Sequence, residues 1–199
     1  MSPGHGEGKS FLNLLFEVVF IAAGVFLALW ANNWHEQSEH RALATSALRN
    51  FAGEMETNRQ AMLHNRQYHE SLARDLQKFL QSDELPSEER FYQDVHFQGL
   101  QPVTFEHTAW DLALATQALS YIKPELAFQI SKVYTQQGAF QTLESNFLAS
   151  AFTPAGFASE NRAGLAKAMS VYMTDVNIEE PIIVQHYEKV IPEVRAALP

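Results

Sequence analysis

A single apolar run, "FLNLLFEVVFIAAGVFLALW" from Phe11 to Trp30, sets the architecture predicted for this chain. Only Asn13 and Glu17 are polar within its 20 residues. At ~1.5 Å per residue, a helix of this length matches a hydrocarbon layer of ~30 Å. The competing interpretation is a cleavable signal peptide, whose apolar core is normally ~7–15 residues long and ends in a small-x-small site. The run is longer and ends in bulky residues, so we expect a retained transmembrane helix over residues 11–34.

Aromatic and amide side chains follow where this helix would leave the bilayer. Trp30 and Trp34 enclose Asn32 and Asn33. Tryptophan is enriched at the membrane–water interface, where its ring is half apolar and half polar. We therefore predict that Trp30, Asn32, Asn33 and Trp34 form an interfacial anchor and that the lipid bilayer is one partner of the chain.

Basic residues near the run indicate its orientation. Lys9 precedes the run, whereas Arg41 is the first basic residue after it. The positive-inside rule then predicts a short cytoplasmic tail over residues 1–10 and an extracytoplasmic domain over residues 35–199. We expect a single-pass protein of a bacterial inner membrane, with its C-terminal domain in the periplasm.

Composition excludes several classes of function. The 14 Lys+Arg and 23 Asp+Glu residues give a formal charge of −9. No stretch gathers enough cations to neutralise a run of phosphates, so we expect no nucleic-acid partner. Zero cysteine excludes disulfides, thiolate catalysis and cysteine-based zinc sites.

The pattern of apolar residues predicts that the rest of the chain is all-α. From about His35 to Leu80, apolar residues recur in alternating steps of three and four, which predicts one long stalk helix ending ahead of Pro86. Pro124 suits the first turn of a later helix. We expect the last region, residues 160–198, to be interrupted at "NIEEP", with Pro181 opening a final helix. The predicted fold is one transmembrane helix, a long stalk helix and an antiparallel helical bundle.

The anchor region carries a spaced pattern, E-x6-G-x3-A-L-x2-N-x-W-x-E, that runs from Glu17 to Glu36. This pattern resembles that of a family of uncharacterised bacterial single-pass membrane proteins. The likeness extends to "EMETNRQ", "YHESL" and "TAWDLALATQALSYI". It implies an N-terminal anchor helix followed by a helical domain of about this length, and no activity.

Glu17 is the least expected residue of the apolar run. An ionised carboxylate in hydrocarbon costs several kcal/mol, so it has to be neutralised, paired or close enough to water to be solvated. A helical net places on its face Ile21, Gly24, Ala28 and Ala31. Gly24 and Ala28 have the small-x3-small spacing that lets helices approach closely. Three interpretations stay open: a face that packs on a partner helix, a solvated acid, and an oligomer that conducts ions past Glu17.

The cluster "HEQSEH", residues 35–40, invites a metal interpretation. The zinc-protease pattern H-E-x-x-H fails because Glu39 stands where the second histidine belongs. The sequence also lacks a G-x-S-x-G serine and a glycine-rich phosphate loop. We therefore predict no metal, no cofactor and no catalytic activity.

Three polar residues interrupt the apolar stripe of the stalk helix: Asn58, Asn65 and His69. They either set the register of a stalk, or line a ligand pocket with Trp110 and Tyr134, or face solvent. The leading expectation for function is an interaction or accessory subunit that associates through its transmembrane helix with another copy or another membrane protein. The alternative is a small-ligand sensor that acts through a separate membrane partner.

Overall fold

The computed structural model describes residues 7–82, 87–151, 153 and 162–199, and every regular element in these ranges is helical. The all-α prediction is therefore confirmed. Most of the predicted cytoplasmic tail, residues 1–6, lies outside the described residues, as does Pro86.

The first helix, α1, runs without a break over Glu7–Gln81, which is 75 residues. Its length is about 110 Å at the α-helical rise. Residues 13–39 are exposed throughout, and burial begins at Ala44. The helix contains a segment of mean hydropathy 2.4 that is long and apolar enough to cross a membrane.

The part of α1 from Ala44 to Phe79 is not an isolated stalk, because its apolar stripe is part of the core of the domain. Phe51, Met55 and Met62 are fully buried. The rest of the predicted stripe is buried with them: Leu48, Leu72, Leu76 and Phe79. The periodicity was thus read correctly as a helix face, and that face packs against other helices of the same chain.

Four further α-helices follow within the described residues: α2 (Glu88–Asp94), α3 (Thr108–Ala115), α4 (Pro124–Ala151) and α5 (Arg162–Ala196), with a short 3-10 helix over Ala118–Tyr121 before α4. Pro124 occupies the first turn of α4, as predicted. Residues 95–107, between α2 and α3, have no regular structure; we call them the crossing loop.

The predicted interruption at "NIEEP" is wrong. Helix α5 continues through both Pro181 and Pro192. A proline inside a helix removes one hydrogen bond and favours a kink, but it does not have to end the helix. Val176, Ile183 and Val184 are buried on either side of Pro181, so tertiary packing holds the helix through this point.

Contacts between the helices fix their directions. Ion pairs join Glu56 to Arg195 and His69 to Glu180, so α5 runs antiparallel to α1. The rings of Phe147 and Tyr172 stack, and Gln137 donates a hydrogen bond to Tyr187, so α5 is also antiparallel to α4. The C-terminal end of α5 consequently lies beside the part of α1 that is nearest to the apolar run.

Candidate functional site

The first predicted site is the face of α1 that carries Glu17. Successive residues of an α-helix are rotated by about 100°, so Glu17, Gly24 and Ala28 lie within one narrow sector. Ile21 and Ala31 complete the set, and the unbroken helix keeps all five in register. Asn13 falls in the same sector, one turn before Glu17. Both polar residues of the apolar run therefore share the face with the small residues.

This face is not covered by any described part of the chain. The side chains of residues 13–39 are all exposed, and Phe20 and Phe26 are each 74% exposed. A β-carbon added at Gly24 would meet no atom within 4 Å. Whatever contacts this segment must come from outside the described residues.

The predicted interfacial residues lie on α1 at the C-terminal end of the apolar run. Trp30 and Trp34 are exposed, as are Asn32 and Asn33. One turn later, His35 pairs with Glu39 at 3.2 Å on the exposed surface. His35 and Glu39 are two of the four His and Glu side chains in the cluster that suggested a metal pattern.

The four residues of the second predicted site lie on α1, α3 and α4. Asn58 and His69 are both buried on α1, 11 residues apart, which corresponds to about 16 Å along the helix. The ring of Tyr134 stacks on Trp110 at 5.1 Å, and its hydroxyl donates to Glu54 at 2.7 Å. Asn58 and His69 thus face the protein interior and not solvent, and their polar atoms bond within the chain.

Their partners are backbone groups of the crossing loop. Asn58 donates to the carbonyl of Glu106 at 2.9 Å and accepts from its N–H at 2.8 Å. Asn65 donates to the carbonyl of Gln101 at 2.9 Å. The Tyr68 hydroxyl donates to the carbonyl of Gly99 at 2.6 Å. The crossing loop has no regular structure, so its backbone N–H and C=O groups need other hydrogen-bond partners. Side chains of α1 provide some of these partners.

His69 is the central residue of this arrangement. Its Nδ1 lies 2.6 Å from a carboxylate oxygen of Glu180, and its Nε2 lies 3.0 Å from the carbonyl of Leu100. Burial lowers the pKa of His69, but the Glu180 carboxylate and the loop carbonyls outweigh it, so the pKa is above its usual value. Because both ring nitrogens face acceptors, the charged imidazolium satisfies both hydrogen bonds. The pair joins α1, α5 and the crossing loop.

A second buried carboxylate, Glu144 of α4, also holds the crossing loop. It accepts a hydrogen bond from the N–H of Val103 at 3.1 Å, and this donor and the nearby Tyr172 hydroxyl both lower its pKa. Burial raises the pKa of Glu144 to about 7, against the opposing effect of these donors. This side chain therefore titrates near neutral pH.

Sequence reasoning missed three buried acids: Glu54, Glu144 and Glu180. Two of these acids could have been found from the sequence. Glu144 and Glu180 occupy positions on the apolar faces of α4 and α5, where an apolar residue would be expected. The search for polar residues that interrupt an apolar stripe, which identified Asn58, would also have identified these two acids. Glu54 accepts from Tyr134 and from the N–H of Ala109 in the first turn of α3, which no local pattern reveals.

Comparisons with protein-family models, with curated proteins and with solved structures give no match for this chain. The resemblance of the anchor pattern stays a prediction.

Replacing one member of the His69–Glu180 pair should destabilise the fold strongly. His69→Leu leaves the Glu180 carboxylate buried without a counter-charge, which costs about 3–5 kcal/mol. The double variant His69→Leu/Glu180→Leu should lose less than the sum of the two single variants, because it leaves no unpaired charge. Urea unfolding of the detergent-solubilised chain, followed by circular dichroism, measures the free energies.

The matched control is the partly exposed pair Arg66–Glu70, which has a 3.0 Å contact on the same helix. Its coupling energy should be only about 0.3–0.5 kcal/mol. Additive losses at His69 and Glu180 would contradict the assigned buried pair.

Glu144 should make stability depend on pH in the slightly acidic range. Its pKa is raised from 4.5 to about 7, so the folded state binds a proton that the unfolded state has released. Its contribution is therefore fully present below pH 4.5 and is lost as the pH rises to about 7, by about 3 kcal/mol at most.

Glu144→Gln should remove this part of the pH dependence, measured by urea unfolding between pH 4.5 and 7.5. Glu125→Gln, an exposed acid on the same helix, is the control and should keep the wild-type slope. Equal slopes for wild type and Glu144→Gln would show that Glu144 does not titrate as assigned.

Proposed function

We propose that this protein is a membrane-anchored interaction or accessory subunit without catalytic activity of its own. It associates, through the face of α1 that carries Glu17, Gly24 and Ala28, with another copy of itself or with a different membrane protein. The observation that carries the proposal is that the described chain leaves residues 13–39 of α1 entirely uncovered.

The chemistry of the face supports a protein partner over lipid alone. A carboxylate within a bilayer is expensive unless it is paired or reaches water. Asn13 and Glu17 occupy the same sector, so a second helix packed there would meet both polar groups. Gly24 and Ala28 allow close approach of that helix, and an approach of this kind brings interhelical hydrogen bonds into range. Large residues such as Phe26 lie on the opposite face, where lipid tails are suitable neighbours.

The proposed arrangement places α1 across a bacterial inner membrane. Residues 1–10 lie in the cytoplasm, residues 11–34 span the bilayer with Trp30 and Trp34 at its surface, and residues 35–199 form the periplasmic domain. The antiparallel contacts of α5 with α1 and α4 support a helical bundle for that domain. Since α1 is continuous from the span into the bundle, association in the membrane would bring bundles together.

The sensor alternative has less support. A ligand pocket would need the polar atoms of Asn58, His69 and Tyr134, which bond instead to Glu106, Glu180 and Glu54. Ion conduction past Glu17 would require an oligomer first, and Glu17→Gln would then change flux in proteoliposomes.

Gly24→Leu should disrupt the proposed association. An added side chain at Gly24 contacts nothing in the chain itself, so the fold of the monomer should be unchanged. The bulk would instead separate two packed helices. The measurement is the size and composition of the complex extracted in mild detergent, by size-exclusion chromatography with multi-angle light scattering.

The matched control is Ala22→Leu, which makes a similar change in size on the opposite side of the same helix. It should leave the complex intact. A Gly24→Leu protein that sizes and co-purifies like wild type would rule out the proposed packing face.

A further inference from the structure

A groove lies at the base of the domain, where α1 emerges from its apolar run. It is formed by α1 residues 37–49, by the segment 121–126 that leads into α4, and by residues 196–199 at the C-terminal end of α5. Its volume is about 970 Å³. Neither of the sites described above contributes to it.

The groove has an apolar floor and a cationic rim. Ala44, Leu48 and Leu126 are buried beneath it. Arg41, Arg49 and Lys123 line it, and among the lining residues that the structure describes there is no Asp or Glu side chain. This is unusual in a chain whose formal charge is −9. Within the described residues, none of these three cations makes an ion pair with a carboxylate.

Arg41 occupies a special position on α1. It lies on the same stripe as Ala44 and Leu48, the stripe that packs into the core further along the helix. Arg41 itself is exposed, and its side chain lines the groove where a core residue would otherwise continue the stripe. Side chains of an α-helix lean toward its N-terminus, so Arg41 leans toward the apolar run.

The continuous helix fixes the height of the groove above the span. Arg41 follows Trp34 by seven residues, which is about 10 Å along α1. The ring of Tyr121 stacks on His40 at 3.9 Å, so the segment bearing Lys123 lies at the same height. The polar headgroup layer begins where the hydrocarbon ends, at the tryptophans, and a long Arg or Lys side chain reaches back into it.

We propose that this groove binds the headgroup of an anionic phospholipid from the adjacent leaflet. Arg41 and Lys123, which lie at the end of the groove nearest the apolar run, contact its phosphodiester. The guanidinium of Arg41 can donate two hydrogen bonds to two oxygens of one phosphate. A groove without cations could not pair with the phosphate charge. The proposal rests on the membrane span of the proposed function, but not on association through Glu17.

Native mass spectrometry of the full chain tests the site. The protein is reconstituted with equal amounts of phosphatidylglycerol and phosphatidylcholine, extracted in mild detergent and released in the spectrometer. We expect retained phosphatidylglycerol in preference to phosphatidylcholine. Arg41→Gln/Lys123→Gln should reduce the retained anionic lipid roughly tenfold or more, since each cation at an anionic membrane surface contributes about a factor of five.

The control Arg74→Gln/Lys78→Gln removes the same charge about 50 Å further along α1 and should retain the lipid as wild type does. Equal retention of both lipids, or equal losses in the two double variants, would overturn the proposal. Displacement of the lipid by free glycerol phosphate would also overturn it, because the groove would then recognise a soluble phosphate.

A wild-type chain that is removed from vesicles by alkaline carbonate has no membrane span, and this result would overturn the span and the lipid site together. A chain that resists carbonate but shows no lipid preference overturns the lipid site alone.

Discussion

The uninterrupted backbone hydrogen bonding of α1 is the constraint on which the rest of the structure depends. One helix carries the apolar run, the exposed turns that follow it and the main core face of the domain. No linker separates them, so the rotation and height of the domain follow from those of the apolar run. This is why the face that carries Glu17 and the groove at the base of the domain can be related by counting residues along one helix.

Within the domain, the same helix holds the crossing loop through polar side chains that interrupt its apolar stripe. Asn58, Asn65 and His69 each bond to backbone groups of residues 100–106. The buried His69–Glu180 pair connects α5 to α1, and Glu144 of α4 accepts a hydrogen bond from the crossing loop at Val103. A buried polar group that loses its partner costs free energy, so these hydrogen bonds favour one arrangement of the helices over others. The second carboxylate oxygen of Glu180, Oε2, has no hydrogen-bond partner within the described residues.

Periodicity was sufficient to predict the apolar run and the helical stripe from Leu48 to Phe79, because each is a property of neighbouring residues on one helix. The stalk interpretation failed because no local pattern shows what packs on the stripe from Leu48 to Phe79. Pro181 was read as a helix start on local preference alone, whereas packing around Val176 and Ile183 overrides it. The partners of Asn58 and His69 lie 48 and 111 residues away in Glu106 and Glu180, beyond the reach of any spacing rule.

The proposed role depends on what contacts the Glu17 face in a native membrane. The most direct measurement places a photo-crosslinking amino acid at Ile21, on that face, or at Phe26, on the opposite side of the helix. Irradiation of native membranes followed by mass spectrometry then identifies the neighbours. We expect a discrete protein product, either a second copy of the chain or one other membrane protein, from position 21 and not from position 26. Absence of any protein product at position 21, or equal products from both positions, would contradict association through this face.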